Sequence, residues 1–123
     1  MVHTDDPNGL LLRHFSTWAA AKSRDVDVEL LGELIRLREY DDLEPTYWPA
    51  GSVEHLLLER WPSKGDVDVP DETTLVETLD GWFRFLRSTG RMSGRSADPK
   101  QLAREARRAA PRMEVVAGDR AEE

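Results

Sequence analysis

Apolar residues in this chain recur at three- and four-residue intervals, and nowhere do they alternate convincingly with polar ones. That period belongs to amphipathic helices rather than strands. Five such runs can be drawn. The first covers about 7–22, opened by Asp6 as N-cap and Pro7 at the first helical position, where a missing N–H costs nothing. Leu11, Phe15 and Trp18 share its stripe, with Leu12 and Ala19 beside it. The second covers about 26–40. Either Asp25 or Asp27 can cap it, and Leu30, Leu31, Leu34, Ile35 and Leu37 form its apolar face, with Glu33, Arg36 and Glu39 towards water.

Pro and Gly punctuate the segment 41–51, DDLEPTYWPAG, as a loop. A short third helix follows over about 52–61, with Ser52 as its candidate cap. Val53, Leu56, Leu57 and Trp61 lie inward, and Pro62-Ser63-Lys64-Gly65 ends the run. The fourth helix, about 70–89, carries the fullest core stripe: Leu75, Val76, Leu79, Trp82, Phe83 and Leu86. Asp80 and Arg84 make an i,i+4 pair on its outer side. Gly81 in mid-helix costs about 1 kcal/mol against alanine and marks a close approach by a neighbouring backbone or ring. Gly90 is placed to end the helix. Asp98-Pro99 repeats the cap-plus-proline opening. A thin stripe of Leu102, Ala103, Ala106, Ala109 and Ala110 then runs to Pro111, which ends or kinks the fifth helix. Met113, Val115 and Val116 are placed to extend the packing. The expected fold is therefore all-α: one compact bundle of about five helices over 1–118, with 119–123 a frayed tail. Helices two and four form its centre. The two Trp-Pro steps, Trp48-Pro49 and Trp61-Pro62, seal one end, and the proline after Trp61 stops helix three.

Composition narrows the chemistry. The 123 residues suit one domain. With no cysteine there is no thiol catalysis, disulfide or Cys-based zinc site. The opening MVHTDDPNG has no basic start and no apolar signal core, and no apolar run approaches the ~20 residues of a membrane span, so a cytoplasmic protein with no membrane role is expected. The net charge of −7 is unevenly spread. Residues 1–83 hold 7 Lys/Arg against 18 Asp/Glu, whereas residues 84–112 hold 9 against 2. A basic segment on an acidic body can dock on that body, on an acidic partner, or on phosphates.

Catalytic motifs are missing. His55 and Glu59 stand i,i+4, but a metal site needs further ligands, and the sequence brings none beside them. Neither Ser16 nor Ser52 lies in a G-x-S-x-G elbow. GRMSGRS lacks the context of a phosphate loop. The two Asp-Val-Asp-Val stretches, at 25–28 and 66–69, diverge after four residues, and after Asp66 and Asp68 the chain supplies Pro70 and Asp71 where a calcium loop needs Asp or Asn and then Gly, so both read as acidic helix starts. A helix-turn-helix is disfavoured by the long gap between helices three and four. No cofactor, metal or catalytic residue is expected.

The order Trp48-Pro49, Val53, Leu56, Leu57, Trp61-Pro62, Leu75, Leu79, Trp82 and Phe85 resembles the helical N-terminal region of uncharacterised proteins from GC-rich bacteria, some of which continue into a Cys-rich SEC-C zinc motif. The resemblance covers about 26–90. It implies an all-helical module and no reaction. The SEC-C cysteines are absent, so no metal role carries over.

Four tryptophans are many for this length, and three of them fall on core stripes. Trp48 is the exception. Beside Tyr47 in the loop, it is either a contact residue or a lid folded over the core. Arg104, Arg107 and Arg108 lie on adjoining faces of the last helix, preceded by Arg84, Arg87, Arg91 and Arg95. The leading expectation is a non-catalytic protein–protein interaction module, binding a protein partner or its own copies through Tyr47, Trp48, Arg104, Arg107 and Arg108. One alternative is a nucleic-acid-associated regulator using the basic 84–112 segment. Another is a small-ligand binder with Trp48 at the pocket mouth.

Overall fold

The computed structural model describes residues 7–63 and 69–116. Among these, helices account for the regular structure and no strand occurs. Five helices follow in order: α1 (Pro7–Ala21), α2 (Val28–Glu39), α3, α4 (Glu72–Ser88) and α5 (Pro99–Ala109). α3 is composite: α-helical over Ser52–His55, widened to a π-helix over Leu56–Arg60, and α-helical again over Trp61–Ser63. α5 tightens into a 3-10 turn at Ala110–Arg112, and residues 113–116 are again helical. The expected Asp6 cap, the Lys64-Gly65 stop, most of the second Asp-Val-Asp-Val and the frayed tail lie outside the described residues. Among the described residues no helix is long and apolar enough to cross a membrane.

Local chemistry explains where the helices begin. Asp27 Oδ1 accepts the Leu30 N–H (3.1 Å), so the second of the two candidate aspartates caps α2. Its own N–H donates to Thr78 Oγ1 (2.9 Å), a fully buried hydroxyl on α4. Asp71 caps α4 through the Thr74 N–H (3.0 Å), and Asp98 caps α5 through the Lys100 N–H (2.8 Å). Ser52 is not a cap. It is the first residue of α3, its Oγ donates to Pro49 O (2.6 Å), and the cap position belongs to Gly51 at φ 87°.

Three helix ends share one design. Arg91 N–H bonds Leu86 O and Gly90 N–H bonds Arg87 O, with Gly90 at φ 72°. Those two bonds around a left-handed residue make a Schellman motif. α1 ends the same way around Ser23 (φ 55°), with Arg24 N–H on Ala19 O. α2 does so around Asp42 (φ 55°), with Leu43 N–H on Arg38 O.

The expectation that Pro62 stops α3 is corrected. The helix passes through Pro62 to Ser63, and Pro62 is buried. Proline has no N–H for an i→i−4 bond and crowds the carbonyl four residues back. The chain widens one turn earlier, where Trp61 N–H bonds Leu56 O five residues back. The wider turn carries three successive leucines, Leu56, Leu57 and Leu58, into the core.

α4 is the hub, packed by α1, α2 and α5. The expected shared centre of helices two and four therefore narrows to α4, with α2 against one side. Phe15 of α1 meets Trp82 edge-on (5.3 Å between centroids) and Phe85 at 5.4 Å. The close approach expected at Gly81 is there. A Cβ built at that glycine would stand 3.3 Å from Val26 Cγ1 and 3.6 Å from Phe15 Cζ. Trp48, Trp61 and Trp82 are buried, and Trp18 is partly buried against Phe15 and Phe85.

Candidate interaction surface

Two features of the sequence were candidate surfaces, the Tyr47-Trp48 loop and the basic last helix. They fare differently. Trp48 is fully buried. Its ring meets Phe83 at 5.0 Å, and its Nε1 donates to Pro45 O (2.8 Å). Against the indole lies Arg38, whose burial no pattern in the sequence signals. The Arg38 guanidinium sits 3.8 Å from the centroid of the Trp48 ring system, is 2 % exposed, and donates to Glu44 O (2.8 Å) and Tyr47 O. Burial pushes its pKa down to about 10, and Asp41 and Tyr47 partly oppose that shift. It therefore stays charged at neutral pH. Two carbonyl dipoles and an indole face hold this cation, and among the described residues no carboxylate is bonded to it.

The loop is then stitched to a second one. Ser93 N–H donates to Thr46 O, Ala97 N–H to Trp48 O and Trp48 N–H to Ser96 Oγ, each at 2.9 Å. Trp48 is the lid of the two readings left open by its sequence, and offers no surface to a partner or a pocket mouth. Tyr47 is partly buried, with Arg95 over its ring at 5.7 Å.

Nearby, the Arg60 guanidinium donates to both oxygens of the Asp41 carboxylate, from Nε (2.8 Å) and from one terminal nitrogen. His55 Nε2 stands 3.7 Å from the same carboxylate. The Arg60 hydrogen bond, helped by His55, holds the Asp41 carboxyl below the ordinary aspartate range. Among the described residues, no three His, Asp or Glu side chains are grouped to hold a metal ion.

The last helix remains as a surface. Leu102, Ala103, Ala106, Ala109 and Ala110 face the core, and their small side chains bring α5 close to α4 and α3. The one acid in α5 is turned inward. Glu105 Oε2 accepts the Gly51 N–H at the start of α3 (2.8 Å), and Arg112 approaches Glu54 of α3 at 3.7 Å. The outward face is left to Lys100, Arg104, Arg107 and Arg108, all exposed. Their spacing of four, seven and eight residues gives a stripe about 12 Å long. Among the described residues no carboxylate lies within ion-pair distance of Arg104, Arg107 or Arg108.

The preceding arginines do not continue this stripe as one strip. Arg84 bonds Asp80 (3.1 Å), Arg87 approaches Asp98 (3.9 Å), Arg91 reaches His14 Nδ1 (3.3 Å) over the Phe85 ring, and Arg95 covers Tyr47. Only Arg84 and Arg87 come near α5, where with Lys100 they line a cleft of about 340 Å³. Lys100 thus joins the basic face, and its i,i+4 relation to Arg104 was the sequence signal for it. Comparison with known protein families, characterised proteins and solved structures finds no match to this chain.

Proposed function

We propose that this protein is a non-catalytic helical interaction module that docks on an acidic polypeptide surface through α5. The observation that carries this reading is the set Arg104, Arg107 and Arg108, side by side, exposed and without carboxylate partners among the described residues. A protein of net charge −7 that spends its one α5 acid on anchoring the helix, and leaves the arginines outward, concentrates positive charge on one face.

A protein partner is favoured over nucleic acid by extent. Phosphate tracking needs a run of free cations along the backbone. Arg84, Arg87, Arg91, Arg95 and Arg112 are each engaged elsewhere, so the free stripe is short. The test is fluorescence anisotropy with a labelled Glu-rich peptide and, separately, a labelled DNA duplex. The peptide binds, and the Arg104→Ala/Arg107→Ala/Arg108→Ala protein loses it. Tight duplex binding with a steep salt slope and no peptide binding would instead support the nucleic-acid reading.

A further inference from the structure

We propose that the cleft between the end of α4 and the start of α5 holds the phosphate of a phosphorylated serine or threonine, carried by the acidic segment that docks along α5. The inference rests on the reading of α5 as a docking face and names the chemistry at one end of its partner.

Three cations meet at this cleft of about 340 Å³. Arg84 and Arg87 line it from α4 and Lys100 from α5, and Asp98 is the one acid among the described residues around it. Arg84 and Arg87 lie off the α5 stripe, yet each keeps donors for a ligand. Arg84 meets the two Asp80 oxygens through Nε alone, at 3.1 and 3.2 Å. Its two terminal nitrogens make no hydrogen bond among the described residues. A terminal nitrogen of Arg87 stands 3.9 Å from Asp98 Oδ2, beyond hydrogen-bond reach, and both side chains are exposed. An approach of that kind is weak and yields to a stronger anion. The other Asp98 oxygen is bonded to the Lys100 N–H (2.8 Å). The Lys100 ammonium has no carboxylate within ion-pair distance among the described residues.

A phosphate monoester suits this set better than a further carboxylate does. It carries nearly two negative charges and three acceptor oxygens, enough to engage two guanidinium groups and an ammonium together. The cleft also lies at the Lys100 end of the stripe. Arg104 and Arg108 follow Lys100 by about 6 and 12 Å along the helix. An extended peptide rises about 3.3 Å per residue, so one with its phosphate in the cleft brings residues two and four positions away against those arginines. One cleft beside a short stripe matches one phosphate beside carboxylates, rather than the evenly repeated phosphates of a nucleic acid.

Fluorescence anisotropy tests this with three labelled peptides of one Glu-rich sequence, carrying Ser, phosphoserine or Glu at the central position. The wild-type protein binds the phosphoserine peptide about tenfold more tightly than the Ser peptide, whereas the Glu peptide gains no more than about twofold. The Arg84→Gln/Arg87→Gln/Lys100→Gln protein, shown to be folded by far-UV circular dichroism, binds the phosphoserine and Ser peptides within about twofold of each other. Arg13→Ala/Lys22→Ala/Arg36→Ala, which removes as many cations elsewhere, keeps the gain. Should the cleft variant unfold, Arg87→Gln/Lys100→Gln takes its place, and the gain is cut there as well. A phosphoserine peptide that wild type binds no better than the Ser or Glu peptide, a gain that survives in the folded cleft variant, or a gain lost equally in the control would overturn the proposal. A DNA duplex that binds more tightly than the phosphoserine peptide would give the cleft to a nucleic acid and overturn it too. If the Ser peptide binds through α5 and the phosphate adds nothing, the cleft is excluded and α5 stands as the docking face. If no peptide binds, both readings fall.

Discussion

Arg38 shows how one residue sets the course of a loop. Its side chain reaches two carbonyls and lies against Trp48, and its own carbonyl accepts N–H groups from Asp41 and Leu43. Truncation leaves the Glu44 and Tyr47 carbonyls without their donor, at about 1–3 kcal/mol each, and removes packing against the indole. Arg38→Ala therefore lowers the unfolding free energy by about 3–5 kcal/mol, measured by urea denaturation, whereas Arg36→Ala on the exposed side of the same helix changes it by less than about 0.5 kcal/mol. Asp41 gives a pH signature of definite sign. Its carboxyl titrates lower in the folded protein than in the unfolded chain. Its contribution is thus present above the unfolded value of about 3.9 and is lost as pH falls through the folded one. Asp41→Asn lowers the thermal midpoint at neutral pH, and the gap to wild type closes below about pH 4. The inward turn of Arg38 was illegible in the sequence. An arginine next to Leu37 reads as solvated until the loop folds over it. Trp48, by contrast, was legible as large and apolar, but its direction depended on that same unseen cation.

Among the elements, the ends of helices separate what sequence shows from what it hides. Gly90 was readable because glycine takes a left-handed conformation at little cost. Ser23 and Asp42 adopt the same conformation without that advantage. Ser23→Gly stabilises the protein by about 0.5–1 kcal/mol, and Gly90→Ala destabilises it by about 1 kcal/mol, in chemical denaturation. A destabilising Ser23→Gly would mean that Ser23 does not end α1 in a left-handed conformation. The five helices themselves were legible because apolar residues keep a helical period within each. The π segment of α3 was not. Pro62 reads as a stop, and only the packing of Leu56, Leu57, Leu58 and Trp61 shows why the helix widens to pass it. Gly81 was readable as a place of close approach, though only the fold shows that Phe15 and Val26 make it.

For the molecule as a whole, charge rather than packing separates the two sides. The sequence shows an acidic body and a basic segment, but it cannot show which arginines are already engaged. Folding sends Arg91 to α1 and Arg95 to the Trp48 loop, ties Arg112 to α3, and leaves Arg104, Arg107 and Arg108 outward. A nine-base run in the chain becomes a short stripe on one helix, and that stripe is the basis of the proposed function. The two Trp-Pro steps that stand out in the sequence close the core, and the less conspicuous last helix carries the exposed arginines on which the proposed function rests. The direct measurement is the affinity of a Glu-rich peptide for three proteins in parallel: wild type, Arg104→Ala/Arg107→Ala/Arg108→Ala, and a control removing three exposed cations elsewhere, Arg13→Ala/Lys22→Ala/Arg36→Ala. The account predicts that the α5 variant loses binding by tenfold or more while the control binds within about twofold of wild type. Equal losses in the two variants would mean that overall charge, and no particular face, governs the interaction, and would contradict it.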